Sequence, residues 1–139
     1  MRSRPARLLV LLLALGLIGT ACSKSSKSKS GEGGTITING QKANNKGTKD
    51  FSGKSEADIE MDNFYFDPTV IKGKAGQTLE IKFENESKTL HNFTLDGKDM
   101  GDVQAGKDAT FTVTFPQSGT LEFHCKYHQN NGMLGELSV

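Results

Sequence analysis

The chain has 139 residues, two of them cysteines, and a formal net charge of +1, which is enough for one small domain. The charge is unevenly divided. Residues 23–55 carry seven lysines against two acidic residues, a net charge of +5, whereas residues 56–139 carry seven lysines against fourteen acidic residues, a net charge of −7. The acidic part argues against nucleic acid as a partner. It favours a basic protein partner, or it is simply a soluble surface.

The N-terminus has the pattern of an export signal. Three arginines precede an apolar run of 11 residues, 8–18, which is the length of a signal-peptide core and too short to span a bilayer. Gly19 and Ala21 are small residues of the kind that signal peptidases accept. We therefore predict a signal peptide over residues 1–21. Cys22 follows directly and resembles the acylated cysteine of a bacterial lipoprotein; a free cysteine without a role is the alternative.

Residues 22–56 are predicted to form a flexible tether followed by a surface extension. Residues 23–34 consist mainly of serine, lysine and glycine, a composition typical of a flexible linker. Residues 35–38 are predicted to be a short strand that ends in the turn Asn39-Gly40. Residues 41–55 offer little to bury beyond Phe51, so we interpret them as a surface extension.

From residue 57 to the C-terminus, apolar and polar residues alternate in several short runs. Successive side chains of a strand point to opposite faces, so each run has one core face and one solvent face. The clearest runs are 57–62, 79–84, 110–115 and 121–124, and turn signals such as Asp67-Pro68 and Asp96-Gly97 separate them. Seven or eight short strands in 83 residues predict an all-β antiparallel sandwich with a modest core.

Four side chains near the C-terminus have the chemistry of a metal site. Cys125, His128 and Met133 have the spacing C-x2-H-x4-M, and His91 lies 34 residues before the cysteine. Two imidazoles, a thiolate and a weak axial thioether are the ligands of blue-copper electron-transfer sites. Zinc gains little from a thioether, and calcium and magnesium prefer oxygen ligands. With Cys22 assigned to the lipid, an exported chain keeps one cysteine, Cys125, that has no intramolecular disulfide partner. Metal ligation would explain this cysteine, and intermolecular disulfide pairing is the alternative.

The alternation pattern supports this site. His91 has the same parity as Phe93 in its run, Cys125 has the parity of Phe123, and Met133 is in phase with Leu137. Three of the four candidate ligands are therefore predicted to face the core, with His128 on the connecting loop. His124 has the opposite parity and is predicted to be a surface residue.

Residues 57–139 resemble the cupredoxins, and most closely the plastocyanin-like group. The resemblance depends on three segments: Leu90-His91-Asn92-Phe93, Phe123-His124-Cys125-Lys126-Tyr127-His128, and residues 132–139 (GMLGELSV). It implies a Greek-key β-sandwich that binds one mononuclear copper through His91, Cys125, His128 and Met133. It also implies that Asn92 hydrogen-bonds around the ligand loop. Tyr127 stands where plastocyanin-like loops usually carry proline.

Two functions use the same four ligands. The first is a single-electron carrier that cycles between Cu(II) and Cu(I) and serves redox partner proteins that the sequence does not name. The second is copper handling, meaning storage, scavenging or delivery. Three histidines are too few for a trinuclear centre, so we expect no enzyme. We expect a monomer at the outer face of the cytoplasmic membrane or in the periplasm, attached to the membrane through a lipid on Cys22.

Overall fold

The computed structural model describes residues 32–139, and these residues form twelve β-strands and one short 3₁₀ helix, Gln129–Asn131. The strands are β1 (Glu32–Ile38), β2 (Gln41–Lys46), β3 (Thr48–Asp50), β4 (Glu56–Asp62), β5 (Tyr65–Asp67), β6 (Val70–Lys72), β7 (Thr78–Asn85), β8 (His91–Leu95), β9 (Lys98–Val103), β10 (Asp108–Thr114), β11 (Thr120–His124) and β12 (Leu134–Ser138). The last three residues of the predicted tether, 32–34, belong to β1, so the tether prediction is wrong there. The rest of the tether, the signal peptide predicted over 1–21 and the lipid predicted on Cys22 lie outside the described range. Within it, no helix is long and apolar enough to cross a membrane.

The strands form two packed sheets and a separate hairpin. One sheet has the order β10-β7-β4-β5, the other has the order β3-β6-β12-β11-β8-β9, and β1 pairs with β2. Most pairs are antiparallel, and three are parallel: β4 with β7, β6 with β12, and β3 with β6. Neighbours that are distant in sequence are typical of a Greek-key sandwich, and the predicted all-β sandwich is confirmed.

The strand count differs slightly from the prediction. Nine strands, β4 to β12, lie between residue 56 and the C-terminus, against the seven or eight expected. The two three-residue strands β5 and β6 flank the Asp67-Pro68 turn and pair in different sheets, β5 with β4 and β6 with β12. Such short segments show no full alternation, so the sequence pattern could not separate them.

The core lies between the two sheets, where alternation had placed it. In β4 and β7, the apolar side chains Ile59, Ile81 and Phe83 have no exposed surface. The rings of Phe66 in one sheet and Phe123 in the other are 5.0 Å apart at 84°, an edge-to-face contact that joins the sheets. Burying each such side chain contributes about 1.5–3 kcal/mol.

The N-terminal hairpin packs against the outer face of β12. Asn39 and Gly40 both have positive φ, 46° and 79°, as the two-residue hairpin turn predicted there requires. Ile38 and Ala43 are buried against Leu134. Much of the stretch interpreted as a surface extension is therefore regular structure: residues 41–46 form β2, and β3 joins the six-stranded sheet at its edge.

Candidate metal centre

Sheet topology brings the four candidate ligands to one end of the sandwich. His91 is the first residue of β8, Cys125 directly follows β11, and Met133 directly precedes β12. β11 lies between β8 and β12 and is antiparallel to both. The end of β11 therefore lies beside the beginnings of its two neighbours. His128 is in the loop between β11 and β12, at the same end.

Three donor atoms converge at this end. Cys125 Sγ is 3.3 Å from His128 Nδ1 and 3.9 Å from His91 Nδ1, and the two Nδ1 atoms are 3.3 Å apart. A trigonal ion with bonds of about 2.0 Å to nitrogen and about 2.3 Å to sulfur would need these atoms roughly 3.5–3.8 Å apart. The three donors therefore fit one small transition-metal ion without a large rearrangement.

Backbone hydrogen bonds hold the ligand loop closed and bring Met133 to the other ligands. The His128 N–H donates to the Cys125 carbonyl at 3.0 Å, and the Met133 N–H donates to the His128 carbonyl at 3.2 Å. The Cys125 N–H donates to the Met133 carbonyl at 3.1 Å. The loop thus holds the Met133 backbone beside Cys125 and His128, and the Met133 side chain is fully buried.

Burial sets the electrostatics of the thiol. Cys125, His91 and Met133 have no exposed surface, whereas His128 is partly exposed. Burial raises the pKa of the Cys125 thiol, and the backbone N–H groups of Tyr127, Asn92 and His128 act in the opposite direction. A bound cation would compensate the buried thiolate charge, since a coordinating thiol loses its proton. A site that disfavours a bare thiolate but aims three N–H groups at the sulfur is suited to a metal ion.

A hydrogen-bond network fixes the orientation of the His91 ring. Its Nε2 is 3.0 Å from the Ser87 hydroxyl oxygen. That oxygen also accepts the Thr89 N–H, and its one proton has two acceptors, the Asn85 side-chain carbonyl at 2.8 Å and the Thr89 carbonyl at 3.1 Å. The hydroxyl therefore accepts a hydrogen bond from His91 Nε2–H, which leaves the Nδ1 lone pair facing Cys125. Burial, followed by the nearby His128, lowers the pKa of His91 to about 4, so the ring is neutral at pH 7.

Sequence comparison places the chain in a known family. Residues 11–139 match the cupredoxin-like domain family. The chain belongs to this family. It is similar to plastocyanin of Sambucus nigra, with 32% identity over 73 residues, covering 43% of this chain and 74% of that protein. It is also similar to the copper-resistant cuproprotein CopI of Pseudomonas aeruginosa, with 26% identity over 134 residues, covering 59% of this chain and 74% of CopI.

Solved structures agree on the fold. A reduced auracyanin from Roseiflexus castenholzii superposes with a TM-score of 0.55 at 21% identity, covering 62% of this chain and 97% of that one. The predicted resemblance to plastocyanin-like cupredoxins is thus confirmed. The donor set and the family agree on one mononuclear copper as the cofactor that these residues fit.

Asn92 of this cupredoxin braces the ligand loop both directly and through β9. Its backbone N–H is directed at the Cys125 sulfur. Its side-chain NH₂ donates to the Asp99 and Asp102 carboxylates and to the Gly101 carbonyl, all on β9. The two carboxylates in turn accept hydrogen bonds from Lys126 and from the Tyr127 hydroxyl, both in the loop. The position usually occupied by proline therefore carries a tyrosine that is tied to β9.

His124 lies apart from the ligand cluster, as its parity predicted. Its Nδ1 is 3.2 Å from the Glu122 carboxylate on the outer face of the sheet. The side chain is only 16% exposed, so it is partly buried beside Glu122 rather than a free surface residue.

Sequence reasoning missed two residues that shape the site. Ser87 orients His91, and Asn44 hydrogen-bonds to the ligand loop. Neither carries a ligand-type side chain, and both are distant in sequence from Cys125. No spacing rule of a metal site would have found them.

Proposed function

We propose that this cupredoxin carries single electrons between redox partners through one copper ion held by His91, Cys125, His128 and Met133. Bound copper would supply the Cu(II)/Cu(I) couple. The observation that carries the proposal is the convergence of two imidazole nitrogens and a thiol within 4.8 Å of one another at the end of a packed β-sandwich. Family membership and the similarity to plastocyanin support it.

The protein contributes a fixed and shielded set of donors. His91, Cys125 and Met133 are fully buried, which excludes water from most of the site. Three backbone N–H groups directed at the sulfur stabilise its negative charge and raise the potential of a metal bound there. His128 is partly exposed, so its ring is the edge at which we expect electrons to enter and leave. A donor set that moves little between redox states suits rapid electron exchange.

Copper handling is the second candidate, and the similarity to CopI favours it. Both functions require the same ligands, so they separate only by measurement. Among residues 32–139, the site is one group of metal-ligating side chains that is buried except for His128, rather than an exposed methionine- or histidine-rich cluster. We therefore favour the carrier, and we propose that the chain has no substrate turnover of its own.

The location and partners of the protein are also proposals. The signal-peptide pattern of residues 1–21 supports export, and Cys22 supports a lipid anchor at the outer face of the cytoplasmic membrane or in the periplasm. The excess of acidic residues over 56–139 supports a basic redox partner, and we propose that the protein binds this partner as a monomer. Labelling cells with a radioactive fatty acid, with Cys22→Ser as the control, would test the anchor; equal labelling of both chains would contradict it.

The decisive experiment adds Cu(II) to the purified metal-free protein and records its visible and electron paramagnetic resonance spectra. We expect an intense thiolate-to-copper absorption band in the native chain and none in Cys125→Ser. Fast, reversible electron exchange at a defined potential would support the carrier. Transfer of the copper to a metal-free acceptor protein on the same timescale would instead support copper handling. Absence of the band from the native chain would refute the carrier.

A further inference from the structure

We propose that the N-terminal hairpin β1–β2 is a clamp for the ligand loop and that Asn44 is its positioning residue. The inference uses the metal centre of the proposed function, but it concerns the loop itself and can be tested without copper. Strand β2 passes the segment just before Met133. There the Asn44 N–H donates to the Gly132 carbonyl at 2.9 Å.

The Asn44 side chain joins two loops that contact the site. Its NH₂ group donates to the Asn131 carbonyl and to the Phe64 carbonyl, each at 2.9 Å. Asn131 and Gly132 lie between the ligands His128 and Met133. Phe64 packs against the His128 ring, with centroids 4.6 Å apart. One amide group therefore uses both of its protons to hold the two segments that flank the exposed imidazole.

Gly132 is shaped to accept this contact. Its φ of +88° lies in the left-handed region, and a Cβ at this position would come within 2.9–3.1 Å of the Asn44 side-chain atoms. Glycine thus satisfies the backbone conformation and leaves room for the amide. A surface hairpin that met the loop by chance would not need so close an approach.

The hairpin is anchored to the sandwich independently of the Asn44 side chain. Leu134, the residue after Met133, packs with Ile38 and Ala43, and all three are buried. In the second half of β2, the fully buried Thr69 hydroxyl accepts the Lys46 N–H at 2.7 Å, and its one proton lies between two acceptors, the Asn44 carbonyl at 3.0 Å and the Phe66 carbonyl at 3.2 Å. The backbone that carries the Asn44 side chain is therefore fixed to the sandwich, as the role of a positioning residue requires.

The test uses the full chain in three variants. Asn44→Ala removes the side-chain amide, Asn44→Asp keeps its shape but removes both donated protons, and both keep the backbone hydrogen bond to Gly132. Lys42→Ala is the matched control, because Lys42 is exposed and lies two residues earlier on the same strand. Asn44→Asp also serves as the second variant if Asn44→Ala folds poorly.

In the metal-free protein, we expect amide hydrogen exchange in peptides covering residues 126–134 to become about fivefold faster or more in both Asn44 variants. In the copper-loaded protein, we expect about tenfold faster release of copper to a chelator and a shifted electron paramagnetic resonance spectrum. Lys42→Ala should match the native chain in every measurement.

Two results would overturn the clamp. The first is loop exchange in the Asn44 variants that equals that of Lys42→Ala. The second is exchange that rises uniformly across both sheets, which would mean general destabilisation rather than positioning. A native chain that gives no thiolate-to-copper band would refute the proposed function alone, because the exchange measurement on the metal-free chain would still decide the clamp.

Discussion

Replacing Ser87 with alanine should leave the His91 ring less firmly oriented, although none of the four metal ligands is itself replaced. The Ser87 hydroxyl oxygen lies 3.0 Å from His91 Nε2 and accepts the Thr89 N–H at 3.0 Å. Its own proton reaches the Asn85 side-chain carbonyl at 2.8 Å. Ser87→Ala removes these contacts in a region where His91 has no exposed surface, so the Nε2–H donor loses its partner inside the protein.

The expected loss can be worked out from these contacts. A buried donor left without a partner costs about 1–3 kcal/mol. The free energy of unfolding of the metal-free variant should therefore be lower than that of the native chain by this amount. The imidazole also loses the group that fixes its tautomer and ring angle. Loss of such a partner behind a metal-binding histidine costs about 10–100-fold in metal affinity. Copper affinity should therefore fall by at least tenfold while the thiolate-to-copper band persists.

The assay is a competition titration of copper against a chelator, with denaturant unfolding of the metal-free chain in parallel. Ser118→Ala is a suitable control, because Ser118 is an exposed turn residue. Native affinity and native stability in Ser87→Ala would refute the assigned tautomer and the positioning role of Ser87.

Three further predictions follow from single contacts. Gly135→Ala should destabilise the fold by about 3 kcal/mol or more in denaturant unfolding. The reason is that a Cβ there would overlap the Phe123 ring and lie 2.5 Å from a backbone carbonyl oxygen; near-native stability would contradict this packing. Lys126→Met should lower the reduction potential measured by voltammetry, because a cation is removed beside the site; a raised potential would contradict this. The stability should stay close to that of the native chain, since the ion pairs of Lys126 are exposed. Burial lowers the pKa of His91 from its ordinary 6.5 to about 4. The metal-free chain should therefore lose up to about 3 kcal/mol of unfolding free energy as pH falls from 6.5 to 4, measured by denaturant unfolding. An unfolding free energy that stays constant over this pH range would show that the ring is not buried as a neutral group.

The sequence predicted those features that depend on local periodicity. Alternation placed Ile59, Ile81 and Phe83 in the core, and the structure buries all three completely. The same rule placed Cys125 and His91 on the inner face and His124 on the outer one. A strand has a side-chain period of two whatever its partner is, so a few residues suffice to fix which face each side chain occupies.

Features that depend on distant partners could not be predicted in this way. Leu134 has the outward parity of β12, yet it is fully buried because the hairpin covers that face. The sequence of β2, QKANNK, has one apolar residue and gives no alternation signal. Its strand conformation depends on β1 and on contacts with Thr69 and Gly132, which only the folded chain brings near.

The ligand loop is held from several directions, and this bears on the choice between the two functions. Lys126 and Tyr127 connect it to the carboxylates of β9, and Asn44 connects it to the hairpin. A protein that delivers copper must open its site to the acceptor, and here opening would break these contacts together. A carrier needs the opposite, because donors that stay in place between redox states reduce the reorganisation that slows electron exchange. The bracing of the loop therefore favours electron transfer, and it predicts that the native protein exchanges electrons much faster than it releases its metal.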